Sequence, residues 1–231
     1  MQLPLHRSLI DIARHAFVAC LVAAAVAGIF LVAPTEATMG HAQRILYIHV
    51  AVAWFALAAY LAMAATGLAY LATRKLACDH WSRAAAEVGW LCCTLTLITG
   101  SFWARAAWNT WWTWDPRLTT VFALWALYSA YLLIRSGLEG PQRSARLGAV
   151  VAILGALDLP LIVLATRWFR GIHPPSPQMD PTMRVVLWLS VIGFGAVFFS
   201  ITAYRKTQLH LESAIAVLEQ HAEGEPSWTH G

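Results

Sequence analysis

ILYIHVAVAWFALAAYLAMAATGLAYLA, Ile45 to Ala72, runs for 28 residues without an aspartate, glutamate, lysine or arginine. The hydrocarbon core of a bilayer is about 30 Å thick and takes roughly 20 helical residues to cross. A stretch this long and this apolar reads as a transmembrane helix. Working outward from it, five further stretches of comparable character complete a set of six expected spans: Ala16 to Ala33, Ile45 to Ala72, Ala85 to Ala104, Leu118 to Ile134, Leu147 to Thr166 and Val185 to Tyr204. Composition agrees, since 59% hydrophobic and 12% charged residues with a mean hydropathy of +0.58 do not describe a soluble domain. The expected fold is all-α, a single polytopic membrane domain over residues 1–231 built as a six-transmembrane-helix bundle.

Arg7 and Arg14 ahead of the first apolar run superficially resemble a signal peptide. Ala33-Pro34-Thr35-Glu36 is a poor cleavage site, however, and the run is long enough to anchor, so the segment is expected to be retained. An even number of spans places both termini on one side. Ten of the sixteen basic residues (Arg7, Arg14, Arg74, Lys75, Arg83, Arg135, Arg143, Arg146, Arg205 and Lys206) fall in the N-terminal segment, the loops Thr73 to Ala84 and Arg135 to Arg146, and the tail 205–231. The positive-inside rule makes those segments cytoplasmic in a multi-pass membrane protein. The other six are all arginines at outer span ends: Arg44, Arg105, Arg117, Arg167, Arg170 and Arg184. A guanidinium there can snorkel to headgroups, the reading preferred for Arg105 and Arg184. For Arg44 and Arg117, pairing with an anionic ligand is an equal alternative. The lipid bilayer is the partner this composition implies, and nucleic acid is not.

Three outer loops remain, Pro34 to Arg44, Arg105 to Arg117 and Arg167 to Arg184. The middle one leads into W-N-T-W-W-T-W-D-P-R-L-T, Trp108 to Thr119, and with Trp103 it holds five tryptophans within twelve residues. Trp108, Trp111 and Trp112 have the i, i+3, i+4 spacing of one face of a short surface helix, with Trp114 off that face. An aromatic belt would distribute its rings over both interfaces. Here the density is confined to one outer loop at 105–117, which favours contact with a flat aromatic ligand. Asp115 and Arg117 follow directly. Asp115 can pair with a neighbour or cap the fourth helix, and Arg117 can pair locally or neutralise a ligand carboxylate. The third loop, W-F-R-G-I-H-P-P-S-P-Q-M-D-P, has four prolines and cannot be one continuous helix.

Of nine histidines only His41, His49 and His173 lie on the outer side. His49 sits about one turn inside the second span, where an ionisable side chain is a functional candidate; the alternative is a histidine satisfied by a neighbouring hydroxyl or carbonyl. His173, in the proline-broken loop, is either a held ligand or a solvated loop residue. Other chemistries lack their motifs. There is no C-x-x-C-H for covalent haem attachment and no G-x-x-x-x-G-K-[ST] phosphate loop for ATP hydrolysis. Adjacent Cys92 and Cys93 point in different directions on a helix and do not suit a shared metal. The tail from Thr207 to His221 has the spacing of a short amphipathic helix.

Aromatic faces, arginines and imidazoles gathered on one outer edge suit a planar macrocycle with two carboxylates and an iron: haem. No histidine lies near mid-span, as haem-mediated electron transfer across the membrane would require.

In these residues the chain resembles the CcmC family, haem-handling (WWD-domain) membrane proteins of the bacterial cytochrome c maturation system. The resemblance is carried by W-x-T-W-W-x-W-D-x-R-L-T at Trp108 to Thr119 and R-I-L-Y-I-H-V at Arg44 to Val50. It continues in L-P-L-I at Leu159 to Ile162, followed by Trp168 and His173, and in M-D-P-x-M-R at Met179 to Arg184. It covers nearly the whole chain. It implies that His49 and His173 are the axial ligands of haem b, on a platform of Trp108, Trp111, Trp112 and Trp114, with Asp115 and Arg117 in the same motif and Arg44 and Arg117 as candidates for the propionates. It implies no catalysis. The partners would be the periplasmic haem chaperone CcmE, the CcmA and CcmB pair of an ABC-transporter-like complex, whose ATPase is another subunit, and CcmD. Departures from the expected pattern are Asn109 for glycine, Pro116 for alanine, Pro174 after the histidine and Asp158 for asparagine. Two rival readings are a haem-containing quinone-linked redox subunit and a cofactor-free transporter subunit.

Overall fold

The computed structural model describes residues 3–138, 140–169, 171–173 and 179–224. Helix α1 (Leu3–Ala27) continues through a π-helical turn at Gly28–Val32, and a 3-10 turn at His41–Arg44 leads into α2 (Ile45–Thr73). There follow α3 (Leu76–Trp108), α4 (Pro116–Ser136), α5 (Pro141–Gly155), α6 (Asp158–Trp168) and α7 (Pro181–Gly224). Among the described residues six segments are long and apolar enough to cross a membrane: Leu9–Val32, His41–Thr73, Leu76–Trp108, Pro116–Ser136, Pro141–Ala165 and Pro181–Ala222. The fold is the all-helical six-span bundle expected from hydropathy.

Local chemistry sets the joints. Arg74 ends α2 in the left-handed region (φ +59°), with its N–H on the Tyr70 carbonyl at 2.7 Å. Pro116 and Pro141 occupy first-turn positions of α4 and α5, where a missing N–H costs nothing. The fifth span is two helices, α5 and α6, separated at Ala156 and Leu157. Pro160 explains the break: it has no N–H to give to Ala156, whose carbonyl instead accepts from Leu159 at 3.2 Å. The tail did not form the separate short helix expected from its spacing. It continues the sixth span in one 44-residue rod, about 66 Å long at 1.5 Å per residue.

Helix α2 packs along α3, α5 and α7, and α4 against α3, α5 and α6. Because lipid offers no hydrophobic contrast, close approach and polar contacts must hold such a bundle together. Gly67 meets the backbone of Ala149, and Gly89 lies directly under the Tyr128 ring, whose hydroxyl donates to the Ala56 carbonyl at 2.7 Å. Trp125 Nε1 donates to Thr94 Oγ1 and Trp90 Nε1 to Ser129 Oγ, both at 2.9 Å, tying α3 to α4. At the end opposite the tryptophans, Arg135 of α4 grips Asp79 of α3 through two nitrogens, the second bond at 2.8 Å, with both side chains 7% exposed.

Removing one partner from such a pair strands a buried charge. Arg135→Leu is expected to destabilise the protein by about 3–5 kcal/mol, seen as a lower unfolding temperature in detergent. The double change Asp79→Leu/Arg135→Leu is expected to recover most of that loss.

Candidate functional site

Helix α2 carries His49 on its second turn, against Thr99 and Gly100 of α3. The Thr99 hydroxyl donates to the Leu95 carbonyl at 2.6 Å, a bond common to threonines inside helices. With that proton committed, Thr99 Oγ1 can only accept from His49 Nδ1, 3.0 Å away. The imidazole is therefore held as the Nδ1–H tautomer, and its Nε2 keeps a lone pair able to ligate a metal. This is the usual device for orienting a ligating histidine. Gly100 supplies the room: a Cβ there would lie 2.9 Å from His49 Cε1. His173 and Arg117 both lie within electrostatic reach of the His49 ring.

The tryptophan segment is not the short surface helix its spacing suggested. Helix α3 runs through to Trp108 and stops at Asn109, which adopts φ +55°. That left-handed geometry accounts for the glycine expected there, and asparagine is among the few side chains that tolerate it. Arg105 Nη1 donates to the Asn109 carbonyl at 2.9 Å and to its side-chain oxygen, closing the helix end. Residues 109–115 then run irregularly, because α4 cannot begin before its cap and Pro116.

As a result the rings separate into two groups. Trp108 stands edge-on to buried Trp103 (centroids 5.0 Å apart) and to His173 (6.3 Å). Trp111, Trp112 and Trp114 instead line an apolar groove of about 470 Å³ with Phe102 of α3 and Phe122 of α4. Their rings meet edge-to-face, Phe102 with Trp111 and Trp112 with Trp114, each at 5.7 Å. Trp111 and Trp114 keep 54% and 73% of their surface exposed, so a flat apolar ligand has rings to cover.

Asp115 acts as the cap of α4, its Oδ1 accepting from the Arg117 N–H at 2.8 Å and the Leu118 N–H at 3.4 Å. Its Oδ2 is buried against Gly171, where any Cβ would collide with the carboxylate. Asp115 thus joins the loop before His173 to the start of α4 and fixes where Arg117 emerges. Arg44 stands elsewhere: its guanidinium lies 5.6 Å from the Phe30 ring centroid of the π-helical turn. His41 is exposed at the start of the 3-10 turn. Glu36, in the turn before it, accepts the backbone N–H groups of Met39 and Thr38, which hold its carboxyl below the usual range. Pro174 and Arg170 lie outside the described residues.

Of the residues singled out in the sequence, the structure gathers His49, His173, Trp108, Asp115 and Arg117, sets Trp111, Trp112 and Trp114 in the adjoining groove, and ties Arg44 to Phe30. Thr99, Gly100 and Gly171 were not identified from sequence, and Trp103 was noted only as a member of the tryptophan cluster. Each acts through a contact that no local spacing reveals.

A family model for heme exporter protein C matches residues 3–220. The chain belongs to the heme exporter protein C family. Similar proteins include the heme exporter protein C of Bradyrhizobium diazoefficiens, 32% identical over 73% of this chain and 67% of that one. Those of Rhodobacter capsulatus (31% identical, 83% and 82% covered) and Escherichia coli K12 (30%, 78% and 75%) also match. Membership makes this chain a haem-handling, non-catalytic, multi-pass membrane component of cytochrome c biogenesis.

The Thr99 clamp has a direct readout. In ¹⁵N-histidine NMR spectra of the detergent-solubilised chain, His49 is expected as the Nδ1–H tautomer. Thr99→Val should mix the tautomers, Thr99→Ser should preserve the wild-type pattern, and Gly100→Ala should displace the ring resonances.

Proposed function

We propose that this chain binds haem b at the periplasmic edge of the inner membrane, with His49 and His173 as axial ligands, and delivers it to the periplasmic haem chaperone CcmE. The observation that carries the proposal is the His49 imidazole, oriented through its Nδ1 by Thr99 and within electrostatic range of His173 and Arg117. The donor set suits the cargo: two neutral imidazoles for iron, exposed indoles for the macrocycle and a guanidinium for a propionate.

His49 gives a rigid ligand, held by two helices that pack along most of their length. His173 gives a movable one, placed by a loop fastened at Asp115 and Gly171. Trp108 sits edge-on to the His173 ring and limits its tilt. Trp111, Trp112 and Trp114 provide an apolar surface for the ring edge away from the carboxylates. Arg117 is the better placed propionate partner and Arg44 the alternative. Asp115 serves by position, setting the start of α4 and hence Arg117.

Two imidazoles leave iron no open coordination position, which suits a carrier and disfavours oxygen chemistry. Release then requires a partner that displaces one ligand, and the loop-borne His173 is the one with less helical support. CcmA, CcmB and CcmD would complete the assembly, with ATP hydrolysis on another subunit. The basic ends and both termini would be cytoplasmic.

Absorbance of protein purified from haem-replete cells tests this reading. His49→Ala and His173→Ala are each expected to lower retained haem by roughly tenfold or more, and Trp108→Ala by a smaller factor. Wild-type protein should load a purified CcmE-type chaperone and either histidine variant should not. Haem retention unchanged in both histidine variants would contradict the proposal.

A further inference from the structure

A second polar site lies at the opposite end of the bundle. There the start of α3, the end of α4, the start of α5 and the α7 extension enclose a cavity of about 260 Å³. Two helices begin at its wall, α3 after Lys75 and α5 after Gly140, and neither start carries a side-chain capping bond. Two helix starts that no side chain caps, and the positive ends of their dipoles, therefore lie at one space.

Each carboxylate nearby has an arginine partner, with Arg205 shared between two of them. Asp79 is held by Arg135, and Glu212 by Arg205 at 3.0 Å. Glu87 takes both Arg205 and Arg83. Donors remain in surplus. His80 lines the cavity, is 8% exposed, and its Nδ1 has no hydrogen-bond partner. Arg135 also lines it, with a buried and unpartnered Nε. Arg83 spends only its Nε on Glu87 and stays 41% exposed at the rim, so its two terminal nitrogens can reach a ligand. Unsatisfied buried polar atoms of this kind are costly unless a ligand or water completes them.

We infer that this cavity binds a phosphate group, with Arg83 and His80 as its principal side-chain contacts. Phosphate matches the chemistry because its several anionic oxygens accept from backbone N–H groups, guanidinium and imidazole at once. The group can come from an anionic phospholipid headgroup or from a soluble phosphate. The basic loops that flank the cavity, with Arg74, Lys75 and Arg143, are of the kind that draws anionic lipid to a membrane surface. The inference does not depend on haem binding at the other end.

Native mass spectrometry of the full detergent-purified chain tests it, with dioleoylphosphatidylglycerol, dioleoylphosphatidylcholine and inorganic phosphate as separate probes. Retention of phosphatidylglycerol over phosphatidylcholine assigns the phosphate to a lipid; a shift with inorganic phosphate alone assigns it to a soluble source. In either case Arg83→Gln and His80→Gln are expected to weaken binding roughly fivefold each, while Arg146→Gln, an exposed control of the same charge, leaves it unchanged. Haem retention should stay at the wild-type level in all three, which also shows that they fold. The inference is overturned if neither phosphate probe binds above phosphatidylcholine, or if Arg146→Gln weakens binding as much as the two cavity variants.

Discussion

The pairing of α2 with α3 is the constraint on which the rest of the molecule depends. Along that seam Gly100 admits the His49 ring, Thr99 fixes its tautomer, and Ser82 donates to the Met63 carbonyl at 3.0 Å further down. In a bilayer no hydrophobic contrast holds two helices together, so these small residues and hydroxyl bonds carry the register. A slip along the seam would misplace the imidazole and the whole outer face with it. The proposed rigid ligand, His49, is thus built on the same contacts that hold the bundle.

The tryptophan-bearing face is assembled from three helix ends. Helix α3 stops at Asn109, α4 starts at the Asp115 cap, and the loop after α6 returns to that cap through Gly171. Asp115 is the common point, since one carboxylate oxygen caps a helix while the other packs against the loop that leads to His173. The division of tryptophans follows from this geometry. Trp108 belongs to the end of α3 and faces the histidine, whereas the rings after Asn109 turn toward the groove between α3 and α4.

Much of this was legible in the sequence. Apolar runs revealed six spans, and the tryptophan density marked the family and pointed to a candidate face. Asp115 as a cap was one of the alternatives its position offered. The helical spacing of Trp108, Trp111 and Trp112 misled, because periodicity cannot register that Asn109 breaks the helix between them. Thr99 was invisible because its role depends on a residue fifty positions away, and a threonine in an apolar run carries no local sign of function. The length of α7 was missed because polar residues after Tyr204 looked like the end of a span, when a helix leaving the bilayer has no reason to stop there.

The central claim is that two imidazoles, one clamped and one loop-borne, hold haem iron at the outer edge. Electron paramagnetic resonance of the ferric, haem-loaded full-length chain addresses it most directly. The account predicts a low-spin spectrum of bis-histidine type that turns high-spin in His173→Ala and is restored by added imidazole. A high-spin spectrum in the wild type, or a low-spin spectrum indifferent to both histidines, would contradict it.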